Sequence, residues 1–215
     1  MRSIKRNTFA ALTFAAVAMV GLAGCSTGAA EDTAAPAPEE SMSSMEMDYT
    51  TDLVGAGCAA YAETVPDGSG SIVGMAQDPV AVAASNNPLL TTLTAAVSGG
   101  LNADVDLVDT LNGSEFTVFA PVDDAFAALP AETVEALMQT ENADLLTSIL
   151  TYHVVPGQIL PDDIAGELTT VNGETITVAG SGDNITVNGA NVICGGVHTA
   201  NATVYLIDGV LTPGA

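Results

Sequence analysis

Residues 117–130 read TVFAPVDDAFAALP. An apolar run over residues 116–120 has the length and bulk of a short buried strand. Val118, Phe119 and Phe126 are spaced to face a core. Pro130-Ala131-Glu132 then has the form of a helix start, with proline at the first helical position.

Upstream of this stretch the chain reads as helices. Asp78-Pro79 opens DPVAVAASNN, and Asn87-Pro88 repeats the device to open PLLTTLTAAVSGG. Leu89, Leu90, Leu93 and Val97 share one face of that second helix, and Gly99-Gly100 stops it. A further helix is expected over residues 142–150. Downstream the chain reads as strands, beginning at residues 152–155. Asn172-Gly173 sits between the apolar-alternating segments 168–171 and 175–178, a hairpin signal. Segments 184–187, 191–194 and 203–207 follow, separated by Gly and Asn. Helices first and antiparallel strands after argue for an α+β domain, not a parallel α/β sheet.

Three segments in order resemble the fasciclin (FAS1) domain. TVFAPVDDAFAALP is similar to its first sequence block, Tyr152-His153-Val154-Val155-Pro156-Gly157 to the Tyr-His segment, and NATVYLIDGVL at 201–211 to its second block. The resemblance spans about residues 70–213, and a lipidated single-domain form is similar to the mycobacterial cell-surface fasciclin antigens. It implies one domain of twisted antiparallel sheets wedged against helices, and a role in adhesion or contact with a cell-surface or matrix protein or glycan. The resemblance also points to Tyr152, His153, Asp163 and Ile164 as candidate partner-binding residues. The bland reading of His153 is a core residue with satisfied hydrogen bonds, and of Asp162-Asp163 a helix cap or solvated turn. Where the family commonly has Thr after Ala-Pro, this chain has Val122, and Asp123 is expected to cap the next helix one residue later. An integrin would be a partner only for a bacterium that meets an animal host.

The N-terminus reads MRSIKRNTFAALTFAAVAMVGLAGCS. A cationic head, an apolar stretch too short to span a bilayer and a small-residue site follow in the order of a signal peptide. Leu22-Ala23-Gly24-Cys25 resembles the lipobox of bacterial lipoproteins, which implies cleavage after residue 24 and diacylglycerol on Cys25. The expected organisation is signal peptide 1–24, acidic tether 25–57 and fasciclin domain 58–215. The expected location is extracytoplasmic, anchored to the membrane by lipid at the cell surface, with a secreted form on release. The tether, rich in Ala, Ser, Pro and Glu, lacks the apolar surface to offset the entropy of ordering.

All three Lys and Arg lie within the first six residues, whereas all 26 Asp and Glu lie after Cys25. The processed chain is a polyanion with no Lys or Arg. It has nothing to neutralise phosphates, so nucleic acid is excluded as a partner. With Cys25 reserved for lipid, Cys58 and Cys194 remain as an even pair, which in an oxidising compartment reads as a disulfide. Two free thiols, or two ligands of a metal, are the alternatives, and a metal wants more ligands nearby than these spacings provide.

The chemistry of an enzyme is not visible. There is no Gly-x-Ser-x-Gly elbow, and Gly68, Gly70 and Gly74 miss the dinucleotide spacing by one. His153 and His198 have no nucleophile partner in sequence, and the Asp pairs 123/124 and 162/163 need not share a site. No catalytic residue and no cofactor are expected. Asp104, Asp106 and Asp109 lack the glycine and glutamate of an EF-hand loop, leaving weak divalent binding to the acidic surface. Met42, Met45 and Met47 in the tether are candidate thioether ligands for Cu(I). The alternative function is therefore a surface lipoprotein that binds a small ligand or metal.

Overall fold

A computed structural model describes residues 49–214. The signal peptide, Cys25 and the Met42, Met45, Met47 group lie outside the described residues. Five helices come first: α1 (Gly57–Thr64), α2 (Ile72–Met75), α3 (Val80–Asn86), α4 (Thr91–Val97) and α5 (Val108–Asn112). Strand β1 (Phe116–Pro121) is followed by α6 (Asp123–Ala127), α7 (Ala131–Leu137) and α8 (Ala143–Tyr152). The chain then runs through β2 (Val154–Pro156), β3 (Gly166–Thr169), β4 (Thr175–Ala179), β5 (Thr186–Val187), β6 (Ala190–His198) and β7 (Ala202–Ile207). The class is α+β, with one mixed sheet.

The seven strands form one sheet in the order β2-β1-β7-β6-β5-β4-β3. The pairing is antiparallel except between β1 and β7, which run parallel from Phe116↔Ala202 to Pro121↔Ile207. The expected antiparallel strands are thus joined by one parallel pair. Every residue of β1 and of β7 is buried, as befits interior strands covered on both faces. The two ends of the sheet approach each other, because the Val171 N–H just beyond β3 donates to the Val154 carbonyl in β2 at 2.7 Å.

The two faces serve two cores. Phe116, Val118 and Ala120 with Ala202, Val204 and Leu206 pack against the helices. Phe119, Tyr205 and Ile207 look the other way, onto Ile164, Ile176, Ile185 and Val187. Phe119 and Tyr205 meet there with ring centroids 5.5 Å apart. Alternation along one strand therefore feeds both cores.

Cys58 of α1 and Cys194 of β6 form a disulfide. It closes most of the domain into one loop, and the chain-entropy argument gives about 5 kcal/mol as an upper figure for its stabilisation. The segment before it, assigned in sequence to the tether, is also held. Val54 pairs with Gly195, and Asp52 meets His198. Glycine is required in this strap's path: Gly196 has φ +73°, and a Cβ there would lie 1.9 Å from the Asp52 carbonyl oxygen.

Helix starts are capped across the chain, not locally. Asn201 Oδ1 accepts the Val80 N–H at 2.9 Å and Asn112 Oδ1 accepts the Ala81 N–H at 3.1 Å, both at the head of α3. Asp123 was expected to cap its own helix. Instead its Oδ1 accepts from the Thr92 N–H at 2.7 Å, and its Oδ2 from the Thr91 hydroxyl at 2.6 Å, at the start of α4. Val122 occupies the N-cap of α6 with no side-chain bond. Asn87 closes a local turn on Leu89, so α4 begins at Thr91 and not at Pro88.

Candidate partner-binding site

Tyr152 and His153 were read as the start of a strand. The structure puts Tyr152 at the last position of α8, with His153 as its C-cap. An amphipathic face of α8 (Leu146, Ile149, Leu150) is buried, which carries the helix two residues further than its apolar tail implies. The turn of backbone here sends the two side chains to different places. Tyr152 enters the core beneath the sheet with Ile164, whereas His153 faces the helix side.

Both side chains are spent on the fold. Tyr152 is 4% exposed. Its hydroxyl donates to the Thr175 carbonyl at 3.0 Å and accepts from Asn188 Nδ2 at 2.9 Å. Asn188, at φ 47° in the turn before Gly189, also accepts the Thr177 N–H at 2.8 Å. His153 is 3% exposed. Its Nε2 accepts the Leu211 N–H at 2.9 Å, so the ring proton sits on Nδ1 and is donated to the Ile149 carbonyl at 2.8 Å. Burial pushes its pKa down to about 4, against a small opposing pull from the Ile149 carbonyl. The ring is neutral at physiological pH, and both nitrogens are occupied.

Ile164 is buried too, at 1%. Of the four residues implied by the resemblance, Asp163 alone is exposed, beside Asp162 and Leu160. The fold does not gather the four onto one surface. A partner docking on this conformation meets Asp163 and its neighbours directly, and Tyr152, His153 and Ile164 only through the shape they maintain.

The other histidine lies elsewhere. His198 Nε2 meets Asp52 Oδ2 at 2.9 Å, and its ring stands 6.3 Å from that of Tyr49. Among the described residues, no group of three or more His, Cys, Asp or Glu is arranged to hold a metal ion, and no helix is long and apolar enough to cross a membrane. Sequence reasoning missed Asn188 and Asn201 as structural hubs. The available signal was an Asx residue beside an apolar element with no local helix to cap.

The architecture thus defines a small α+β domain with two cores on one mixed sheet. The fasciclin domain profile matches residues 88–213. A cell surface glycolipoprotein of Mycobacterium bovis, MPB83, is 52% identical with 100% of each chain covered. The immunogenic protein MPB70 of the same species is 52% identical over 98% of each chain. A FAS1 domain pair from the insect cell adhesion molecule fasciclin I has the same fold, with a TM-score of 0.55 at 18% identity, covering 66% of this chain and 53% of that one. This chain belongs to the fasciclin domain family.

Proposed function

We propose that the chain is a lipid-anchored cell-surface protein whose fasciclin domain makes adhesive or other contacts and carries out no catalysis. The reading is carried by the likeness to MPB83, which runs the full length of both chains and so includes the segment with the Leu-Ala-Gly-Cys25 lipobox. The processed chain is held at the membrane by Cys25 and displayed outside the cytoplasm, with release giving a secreted form. Its partner is a surface or matrix protein or glycan. Since the domain itself has no Lys or Arg, the partner's surface supplies basic groups or the contact is bridged by divalent cations. The imidazole most shielded from water is committed to two backbone groups, which leaves it no part in proton transfer.

Two measurements test this. Expressed in a bacterium that processes lipoproteins, the chain takes up radiolabelled palmitate and fractionates with membranes, and Cys25→Ser loses both. Beads coated with the domain bind envelope or matrix preparations saturably, and Asp162→Asn/Asp163→Asn weakens binding without changing the unfolding midpoint by more than a small amount. Label uptake by the Cys25→Ser chain, or beads that bind no better than albumin-coated ones, would sink the corresponding half.

A further inference from the structure

We infer that the apolar cavity between the helices and the outer face of the sheet binds the end of an unbranched hydrocarbon chain carried by an uncharged amphiphile. The cavity encloses about 60 Å³. Leu93 and Val97 of α4 and Leu107 before α5 form its helical wall, and Val118 of β1 and Val204 of β7 form its floor. By volume it could take more than one water molecule. By chemistry it could not keep them, because a buried water needs two to four polar partners.

Apart from Thr110 at its exposed rim, the polar side chains on the wall are already hydrogen-bonded within the fold. His153 uses both ring nitrogens on Leu211 and Ile149. The Thr151 hydroxyl donates to the Thr147 carbonyl at 2.7 Å, and the Thr199 hydroxyl is taken up by the backbone of Ala202. A cavity of this kind stays dry and accepts apolar guests. It also reaches the surface, because two of its lining residues, Thr110 and Val171, are exposed. The guest therefore has a buried end and a part outside, which describes a chain and not a compact molecule. The charge of the chain sets the head: 26 carboxylates with no Lys or Arg outside the first six residues repel an anionic head group. The site is independent of the adhesive reading, since a domain with its cavity blocked can still adhere.

The test uses residues 26–215, which contain every described residue, with methyl groups labelled for NMR. The probes are n-alkanols from propanol to decanol, and decanoate. Affinity should rise about fourfold per added CH₂ until the cavity is full, and then level off. Methyl signals of Leu93, Val97 and Val204 should move saturably, and those of exposed Val73 and Leu145 should not. Decanoate should bind more weakly than decanol, with the gap narrowing in salt. Ala84→Leu, a filling change at a partly exposed lining position, should abolish binding, and Leu107→Ala should move the levelling point to longer chains. No binding by any probe, equal shifts at Val73 and Leu145, or an affinity series unaltered by both substitutions would overturn the inference.

Discussion

The imidazole Nε2 of His153 accepts the backbone N–H of Leu211 at 2.9 Å, tying the end of α8 to the last buried residue among those described. This bond exists only while the ring is neutral. The folded protein holds His153 at about 4, below its ordinary 6.5, so between those values the unfolded chain binds a proton that the folded one does not. Stability from this group is complete above pH 6.5 and is lost as pH falls toward 4, a difference of about 3 kcal/mol. Urea unfolding at pH 7 and pH 4.5 should show it as a drop in midpoint. His153→Gln should be less stable at pH 7 yet lose less on acidification. Comparing the two proteins cancels the relief of carboxylate repulsion, which acts in the opposite direction in both.

Asn201 should be among the costliest polar residues to remove. Its Oδ1 caps α3 through Val80, and its Nδ2 donates to the Leu111 and Ser114 carbonyls at 2.7 Å each. Asn201→Ala leaves these backbone groups unpaired and should cost about 2–4 kcal/mol in urea unfolding. Asn201→Asp keeps the cap but turns two donors into acceptors facing carbonyls. It should therefore also destabilise at neutral pH. An aspartate as stable as the wild type would mean that the cap alone matters.

Asp123 joins the first sequence block to α4. Burial raises its pKa, but donors from Thr91 and Thr92 outweigh this and hold the carboxyl below its usual value. Asp123→Ala should destabilise by about 1–2 kcal/mol, the ordinary worth of a helix cap. Because the folded pKa is depressed, that contribution is present at neutral pH and disappears as pH falls through it. The gap between wild type and Asp123→Ala, read from unfolding curves, should therefore close in acid.

These residues also mark where the sequence could be read and where it could not. The hairpin around Asn172-Gly173 was legible because its signal is local: the structure pairs Glu167 with Thr177 and Leu168 with Ile176 around that turn. The final strand was legible at 203–207, and the structure has it at Ala202–Ile207. The parallel register of β1 on β7 was not, since Phe116 and Ala202 are brought together by everything folded between them and no local pattern encodes direction. Asp123 looked like a cap, and it is one, but for a helix that starts at Thr91. Tyr152-His153 looked like strand residues because Val154 and Val155 continue the apolar run. Their burial follows from α8 docking, a tertiary event, and it changes what those side chains can do for a partner.

The surface charge yields the last prediction. Among the described residues the one ion-pair contact is His198 with Asp52, and it carries charge on both sides only when His198 is protonated. Every other carboxylate there faces water, a hydrogen-bond donor or another carboxylate, because no Lys or Arg lies beyond residue 6. Self-repulsion with no internal counter-charge is relieved by screening, and the screening length falls from about 30 Å at 0.01 M salt to about 3 Å at 1 M. The Tm should therefore climb between low millimolar and molar NaCl, measured by calorimetry on the domain. Mg²⁺ or Ca²⁺ should give the same gain at much lower concentration if cations gather on the acidic face, and an equal dependence on ionic strength if they only screen. A Tm that is flat or falls with NaCl would mean the carboxylates are spaced widely enough for repulsion to cost nothing, and the basic-partner argument would lose its physical footing with it.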